Sequence, residues 1–188
     1  GAAGNPGATL YEAQASTDNF ATVNFTSRTL MTSATFAALA QNTTHFLRVR
    51  AVNHNAVATL YAVSAATATL ADAPAGASAG LFYSSGNVTW APSGNPAGTI
   101  YYAEISTDSY ATINASSRTL DLSATFFTLV PNTTYQLRVR AEGLSRASAF
   151  ALAGSSATKA LDPTGAAFGG VHLSSAGLSW TANGNPAG

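Results

Sequence analysis

The tripeptide Gly-Asn-Pro begins at Gly4, at Gly94 and again at Gly184, so both intervals are 90 residues long. The same offset runs along the rest of the chain. "STDNFATVNFTSRTL" at 16–30 matches "STDSYATINASSRTL" at 106–120. "SATFAALAQNTTHFLRVRA" at 33–51 matches "SATFFTLVPNTTYQLRVRA" at 123–141, and "LFYSSGNVTWAP" at 81–92 matches "VHLSSAGLSWTA" at 171–182. A period this long, held without a visible gap, means tandem domains rather than short solenoid units.

Within one period the pattern is that of strands. "YQLRVRA" places Tyr135, Leu137, Val139 and Ala141 on one face, with Gln136, Arg138 and Arg140 on the other. That is the two-residue alternation of a half-buried strand. "NVTWAP" and "TIYYAEIS" read as strands joined by the turn signal "SGNPAG", and "ATFFTL" and "SAFALAGSSAT" add two more. No stretch carries a sustained apolar period of about 3.6 residues. The fold class expected is all-β, built from two-sheet sandwiches.

"LVPNTTYQLRVRA" resembles the E–F corner and strand F of fibronectin type III domains, whose pattern is similar to L-x-P-x-T-x-Y-x-x-R-V-x-A. Leu129, Pro131, Thr133, Tyr135, Arg138, Val139 and Ala141 fit it in register. "VTWAP" resembles their strand B, with Trp90 as the core tryptophan. The resemblance implies tandem seven-stranded Greek-key sandwiches in which Tyr135 closes a tyrosine corner. The first copy departs from the pattern, with Gln41 for the proline and His45 for the tyrosine. "STD-[NS]-[FY]-AT" looks like repeats of very large bacterial surface proteins.

In the strand order this implies, residues 1–72 supply strands C to G of a first, incomplete module. Residues 73–162 supply a complete module, and residues 163–188 supply strands A and B of a third. The expectation is one complete and two partial modules, cut from something longer. A two-stranded piece is marginal in water, and Leu173, Leu178 and Trp180 of the trailing piece need a core. The trailing A–B pair is what the leading C–G half lacks. Copies of the chain are therefore expected to be partners, end to end, whether as separate subunits or within a longer covalent array.

Composition narrows the partners further. Charged residues make up 9% of the chain and the formal net charge is zero, where globular proteins carry about 25% charged residues. No basic patch marks a nucleic-acid partner. No run of about 18 apolar residues marks a membrane-inserting helix. With no cysteine, thiol chemistry, disulfides and Cys-based metal sites are excluded. A surface so poor in charge stays soluble by packing against copies of itself or by carrying sugar.

Candidate chemistry is sparse. His45, His54 and His172 stand at the repeat positions of Tyr135, Leu144 and Phe82, which reads as packing variation. Asp18 and Asp108 sit in "STD" turns, where an Asp side chain bonds turn backbone. Asp72 and Asp162 lie between modules, one carboxylate each, far short of the six to eight oxygens of a calcium site. Arg48, Arg50, Arg138 and Arg140 share an outer face with Glu12, Glu104 and Tyr102. Cross-strand ion pairs and Arg–aromatic stacking account for them, with an anionic ligand site as the sharper alternative. No nucleophile elbow, phosphate-binding glycine loop or H-E-x-x-H occurs, so no catalytic, cofactor or metal residues are expected and the chain is not expected to be an enzyme. Sequons at Asn24, Asn42, Asn87, Asn114 and Asn132 are candidates for covalently attached glycans.

These features lead to an expected role as a structural repeat of an extracellular bacterial filament, surface layer or giant surface protein. An adhesive or carbohydrate-binding spacer, with Tyr83 and Tyr102 as contact residues, is the alternative.

Overall fold

The computed structural model describes residues 4–186. The outermost residues of the two expected end pieces, 1–3 and 187–188, lie outside the described residues. All regular elements among the described residues are β-strands. They form two compact units. The first comprises the described residues up to Asp72 with the loops Gly94–Thr99 and Glu142–Ser148. The second comprises Ala73–Ser93, Ile100–Ala141 and the described residues from Ala149 onward.

The first unit is one antiparallel sheet. β1 (Leu10–Ser16) pairs with β2 (Phe25–Thr29) on one side and β3 (Thr44–Val52) on the other. The short strands β4 (Ala62–Val63) and β5 (Thr67–Ala68) both pair with β3.

The second unit holds β6 (Ala75–Leu81), β7 (Ser85–Ala91), β8 (Ile100–Ser106), β9 (Ala115–Thr119), β10 (Ser123–Phe127), β11 (Thr134–Glu142) and β12 (Ala151–Ala157). They form two sheets, β10–β7–β6 and β12–β11–β8–β9. In family letters these are E–B–A and G–F–C–C′. The hairpin β13 (Thr164–Val171) and β14 (Ala176–Thr181) is a separate two-stranded sheet.

Alternation along β11 explains the core. Tyr135, Leu137, Val139 and Ala141 are all buried, with Val88, Trp90, Tyr101, Ile105 and Phe126. Trp90 and Tyr101 meet as a tilted pair with ring centroids 5.6 Å apart.

The two repeats differ where a neighbour strand is involved. "SATF" at 123–126 lies in β10, which pairs with β7. The identical "SATF" at 33–36 forms no strand. In its own unit it has no β7-like strand to bond, so strand E, expected within 1–72, is not formed there. Backbone groups that find no ladder partner have no reason to hold strand geometry.

The gap-free 90-residue offset also needs correction. From strand G into strand A the structural equivalence is 89 residues. Thr43 N–H donates to Thr69 Oγ1 and Thr133 N–H to Thr158 Oγ1, while Asn42 N–H donates to Leu70 O and Asn132 N–H to Lys159 O. The loop after strand F is one residue shorter in the second repeat. β13, one residue longer than β6, restores the register.

Candidate assembly surfaces

The apolar positions that close the second unit's core recur, exposed, at two places. Trp90 is 6% exposed but its repeat equivalent Trp180 on β14 is 61% exposed, and Val139 is fully buried but its equivalent Val49 on β3 is 38% exposed. Leu173 and Leu178 are exposed with Trp180, as are Phe168 and Val171 of the same hairpin. In the first unit the inner face of β1 and β3 is a groove of about 430 Å³, lined by Tyr11, Ala13, Phe36, Leu47, Val49 and Val63. Tyr11 stands at the repeat position of Tyr101, the residue against which Trp90 packs. All three residues expected to complete a module are thus outside any core in this chain.

The Gly-Asn-Pro motif does more than turn the chain. Asn95 is buried; its Oδ1 accepts from Asp72 N–H at 2.9 Å and its Nδ2 donates to Asp72 O at 2.9 Å. Asn185 does the same to Leu161, at 2.8 and 2.7 Å. The amide thus clamps the segment that leads into each A–B hairpin, and Asn183 adds a bond to Asp162 O at 2.8 Å. Gly94 before the clamp has φ +86, and an added Cβ would run into the Gln41 amide. Both reasons favour glycine there.

A second asparagine was read in the sequence only as a sequon. Asn42 is 6% exposed, with φ 45. Its Nδ2 donates to Thr99 Oγ1 at 3.0 Å and its Oδ1 accepts from Leu144 N–H at 2.8 Å. Both polar atoms are engaged within the first unit. The other sequons lie differently. Asn24 and Asn114 are exposed, each accepting through Oδ1 from a backbone N–H, of Thr17 and of Thr107, at 2.8 Å. Asn87 is half-buried on β7, and Asn132 is exposed in the E–F corner.

Tyr135 is buried, and its hydroxyl accepts from Val130 N–H at 3.0 Å. His45, equally buried in the first repeat, bonds the same residue position with opposite polarity: Nε2 lies 3.3 Å from Ala40 O and therefore donates. Its Nδ1 is buried without a hydrogen-bond partner.

The outer faces carry two arginine ladders. In the first unit, Glu12 accepts from Arg28 at 2.7 Å, Arg50 at 2.6 Å and the Tyr61 hydroxyl at 3.1 Å. Arg48 lies between the rings of Phe20 and Tyr61, 4.1 and 4.0 Å from their centroids. In the second unit, Arg138 pairs with Glu104 at 2.6 Å between Tyr110 and Phe150, each 3.9 Å away, and Arg140 lies over Tyr102 and Phe150. The carboxylate has moved one rung between repeats, from Glu12 to Glu104, with Gln14 and Tyr102 filling the vacated positions. Arg28 beside Glu12 holds its carboxyl below the usual carboxylate range, with Arg50 and Tyr61 assisting against the cost of burial. Arg50 and Arg138 are ion-paired and Arg48 donates to Gln14 Oε1 at 2.8 Å, whereas Arg140 only stacks and its Nε is buried without a hydrogen-bond partner.

The "STD" turns are built alike. Asp18 accepts from the Thr22 hydroxyl at 2.6 Å, from Thr22 N–H at 2.9 Å and from Ser16 Oγ at 2.7 Å. These bonds, Thr22's first, pull its carboxyl down to about 2, and Thr112 lowers Asp108 in the same way. Among the described residues no cluster of three or more His, Cys, Asp or Glu side chains is placed to hold a metal.

No protein-family profile matches the chain, and no curated protein matches it. Solved structures do. A two-domain fibronectin type III segment of chicken tenascin overlays with a TM-score of 0.60 at 15% identity, covering 79% of this chain and 84% of that one. FN3tt matches with a TM-score of 0.41 at 25% identity, over 47% of this chain and 94% of its own. The FN1–FN3 domains of chicken CNTN1 match with a TM-score of 0.43 at 17% identity over 81% of this chain, which spans 56% of that segment. The tenascin overlay carries the fold assignment. The chain is a tandem of fibronectin type III-like β-sandwich repeats.

Proposed function

We propose that the chain is a structural repeat of an extracellular filament, surface layer or giant surface protein, in which the A–B hairpin of one copy completes the C–G half of the next. The observation that carries this reading is the exposure of Trp180 and Val49 at positions where Trp90 and Val139 are core. The groove that contains Tyr11 and Val49 has the apolar lining such a hairpin needs. Head-to-tail contacts of this kind do not close on themselves and so generate filaments. Low charge, zero net charge and exposed sequons support an extracellular setting. The carbohydrate-binding alternative has less support, since Arg140 lies over the Tyr102 ring, which leaves Tyr83, 46% exposed, as the accessible member of that pair.

Hydrogen exchange tests the reading. It compares the free chain with a fusion whose residue 188 runs on into residue 9 of a second copy, preserving the 90-residue period. Amides of 164–181 are expected to be strongly protected in the fusion, and progressively so in the free chain as its concentration rises. A hairpin that exchanges as fast in the fusion as in the dilute chain would overturn module completion. Protection in the fusion alone would restrict it to covalent arrays.

A further inference from the structure

Resting on the head-to-tail reading, we propose that Asn132 is a docking latch for the first unit of a second copy. Its Nδ2 donates to that copy's Thr9 Oγ1, and its Oδ1 faces the loop that carries His54. The precedent is inside this chain, where Asn42 bonds Thr99 and Leu144. Thr9 and His54 are the repeat equivalents of that pair.

Both sides are already shaped for it. Asn132 has φ 48 against 45 at Asn42, and its N–H donates to Lys159 O at 3.2 Å as that of Asn42 does to Leu70 O at 3.1 Å. The following threonine is held alike, Thr133 Oγ1 on Pro131 O at 3.0 Å and Thr43 Oγ1 on Gln41 O at 2.8 Å. The corner is therefore built the same way, but its amide is exposed. On the receiving side, Thr9 Oγ1 donates to Pro6 O at 2.8 Å, as Thr99 Oγ1 does to Pro96 O at 2.8 Å. A hydroxyl whose proton is already committed presents its lone pairs to an incoming N–H. Between the loops that carry Thr9 and His54 lies a cavity of about 260 Å³, lined also by Pro6, Asn53 and Val57.

One feature of the precedent is not copied. A Cβ on Gly143 would lie 3.0 Å from that of Ala71 and meet Arg146 O, and the first repeat has Asn53 at the Gly143 position. The loop bearing His54 must therefore sit differently from the one bearing Leu144, so the Thr9 bond is the one to probe. The latch also has a chemical consequence. Nδ2 is the atom through which a sequon carries sugar, and the closed arrangement buries Asn42 to 6% exposure, which leaves no room for a sugar on that nitrogen; a glycan on Asn132 and a closed latch therefore exclude each other.

The absence of cysteine makes the test direct. Asn132→Cys in the first copy and Thr9→Cys in the second copy of the 188-to-9 fusion are treated with a short bifunctional thiol reagent. Asn42→Cys with Thr99→Cys in the single chain sets the yield for a known 3.0 Å side-chain contact, and Asn114→Cys with Thr9→Cys sets the background. Cross-linking at the level of the Asn42 and Thr99 pair is expected. A background yield in a fusion whose hairpin amides are protected would overturn the latch and leave module completion standing. Mixed single-cysteine chains separate the two further. A cross-linked dimer of Asn132→Cys with Thr9→Cys places the latch between free copies. Cross-linking in the fusion alone keeps the latch and removes association of separate chains.

Discussion

Replacing each tryptophan with alanine separates a core residue from a docking residue. Trp90 is 6% exposed and packs on Tyr101, and removing a buried Trp costs about 3–5 kcal/mol. Trp90→Ala should therefore lower the urea midpoint of the second unit at any protein concentration. Trp180 is 61% exposed, so the same change should cost the free chain less than about 1 kcal/mol, as surface substitutions do. In the head-to-tail state Trp180 would bury roughly half of a surface of about 250 Å², which at about 25 cal/mol per Å² is about 3 kcal/mol. That corresponds to a loss of about 100-fold in association constant. In the 188-to-9 fusion the same loss would appear as reduced stability. Urea unfolding followed by circular dichroism reads the first quantity, and sedimentation velocity over a range of concentrations reads the second. Equal destabilisation of the dilute free chain by both substitutions would refute the reasoning, as would a fusion that Trp180→Ala leaves unchanged.

Three further outcomes are expected. Asn42→Ala leaves the Leu144 N–H and Thr99 hydroxyl without their partner, and should cost about 1–3 kcal/mol in urea unfolding; intact mass of the chain produced in a host that attaches N-linked sugar should show none at this sequon, while Asn24 and Asn114 stay accessible. Asp18, at about 2, and Glu12 and Asp108, also lowered, contribute stability that is present above the usual carboxylate range near 4 and lost as pH falls through their folded values. Thermal unfolding should therefore be flat above about pH 5 and fall toward pH 2, and Glu12→Gln, less stable at pH 7, should show a shallower fall. Tyr135→Phe removes the acceptor of the Val130 N–H and should cost about 1–2 kcal/mol by urea titration.

What could be read in the sequence was what local chemistry decides. Alternation along 135–141 gave the inner face of β11, and the "STD" turns bond within themselves in both repeats, so residue identity was enough. What escaped depends on neighbours distant in sequence. "SATF" is a strand beside β7 and irregular without such a neighbour, though the residues are the same. Asn42 carries a sequon that nothing local distinguishes from that of Asn132, yet its amide is closed by Thr99 and Leu144. The Asn of Gly-Asn-Pro looked like a turn former, and its grip on the preceding linker was signalled only by its recurrence. The change from 90 to 89 left a trace in "TATLADAPAG" against "SATKALDPTG", hidden because the period resumes at β14. It moves the aromatic partner of the arginine ladder from Tyr61 to Phe150, whose repeat position in the first copy is Leu60.

The arginine ladders bear on how fast such copies would find one another. Arg48, Arg50, Arg138 and Arg140 lie against rings, and three of the four have no more than a neighbour's reach to a carboxylate or amide oxygen. With Arg50 and Arg138 ion-paired and a formal net charge of zero, the chain projects little field beyond a Debye length of about 10 Å at 0.1 M salt. Encounters between copies then go unsteered, at rates of about 10⁵–10⁶ per molar per second rather than the 10⁸ or more that opposed charges allow. Growth governed by such collisions would be slow to start, would respond to crowding and concentration, and would proceed at nearly the same pace in dilute buffer and in brine.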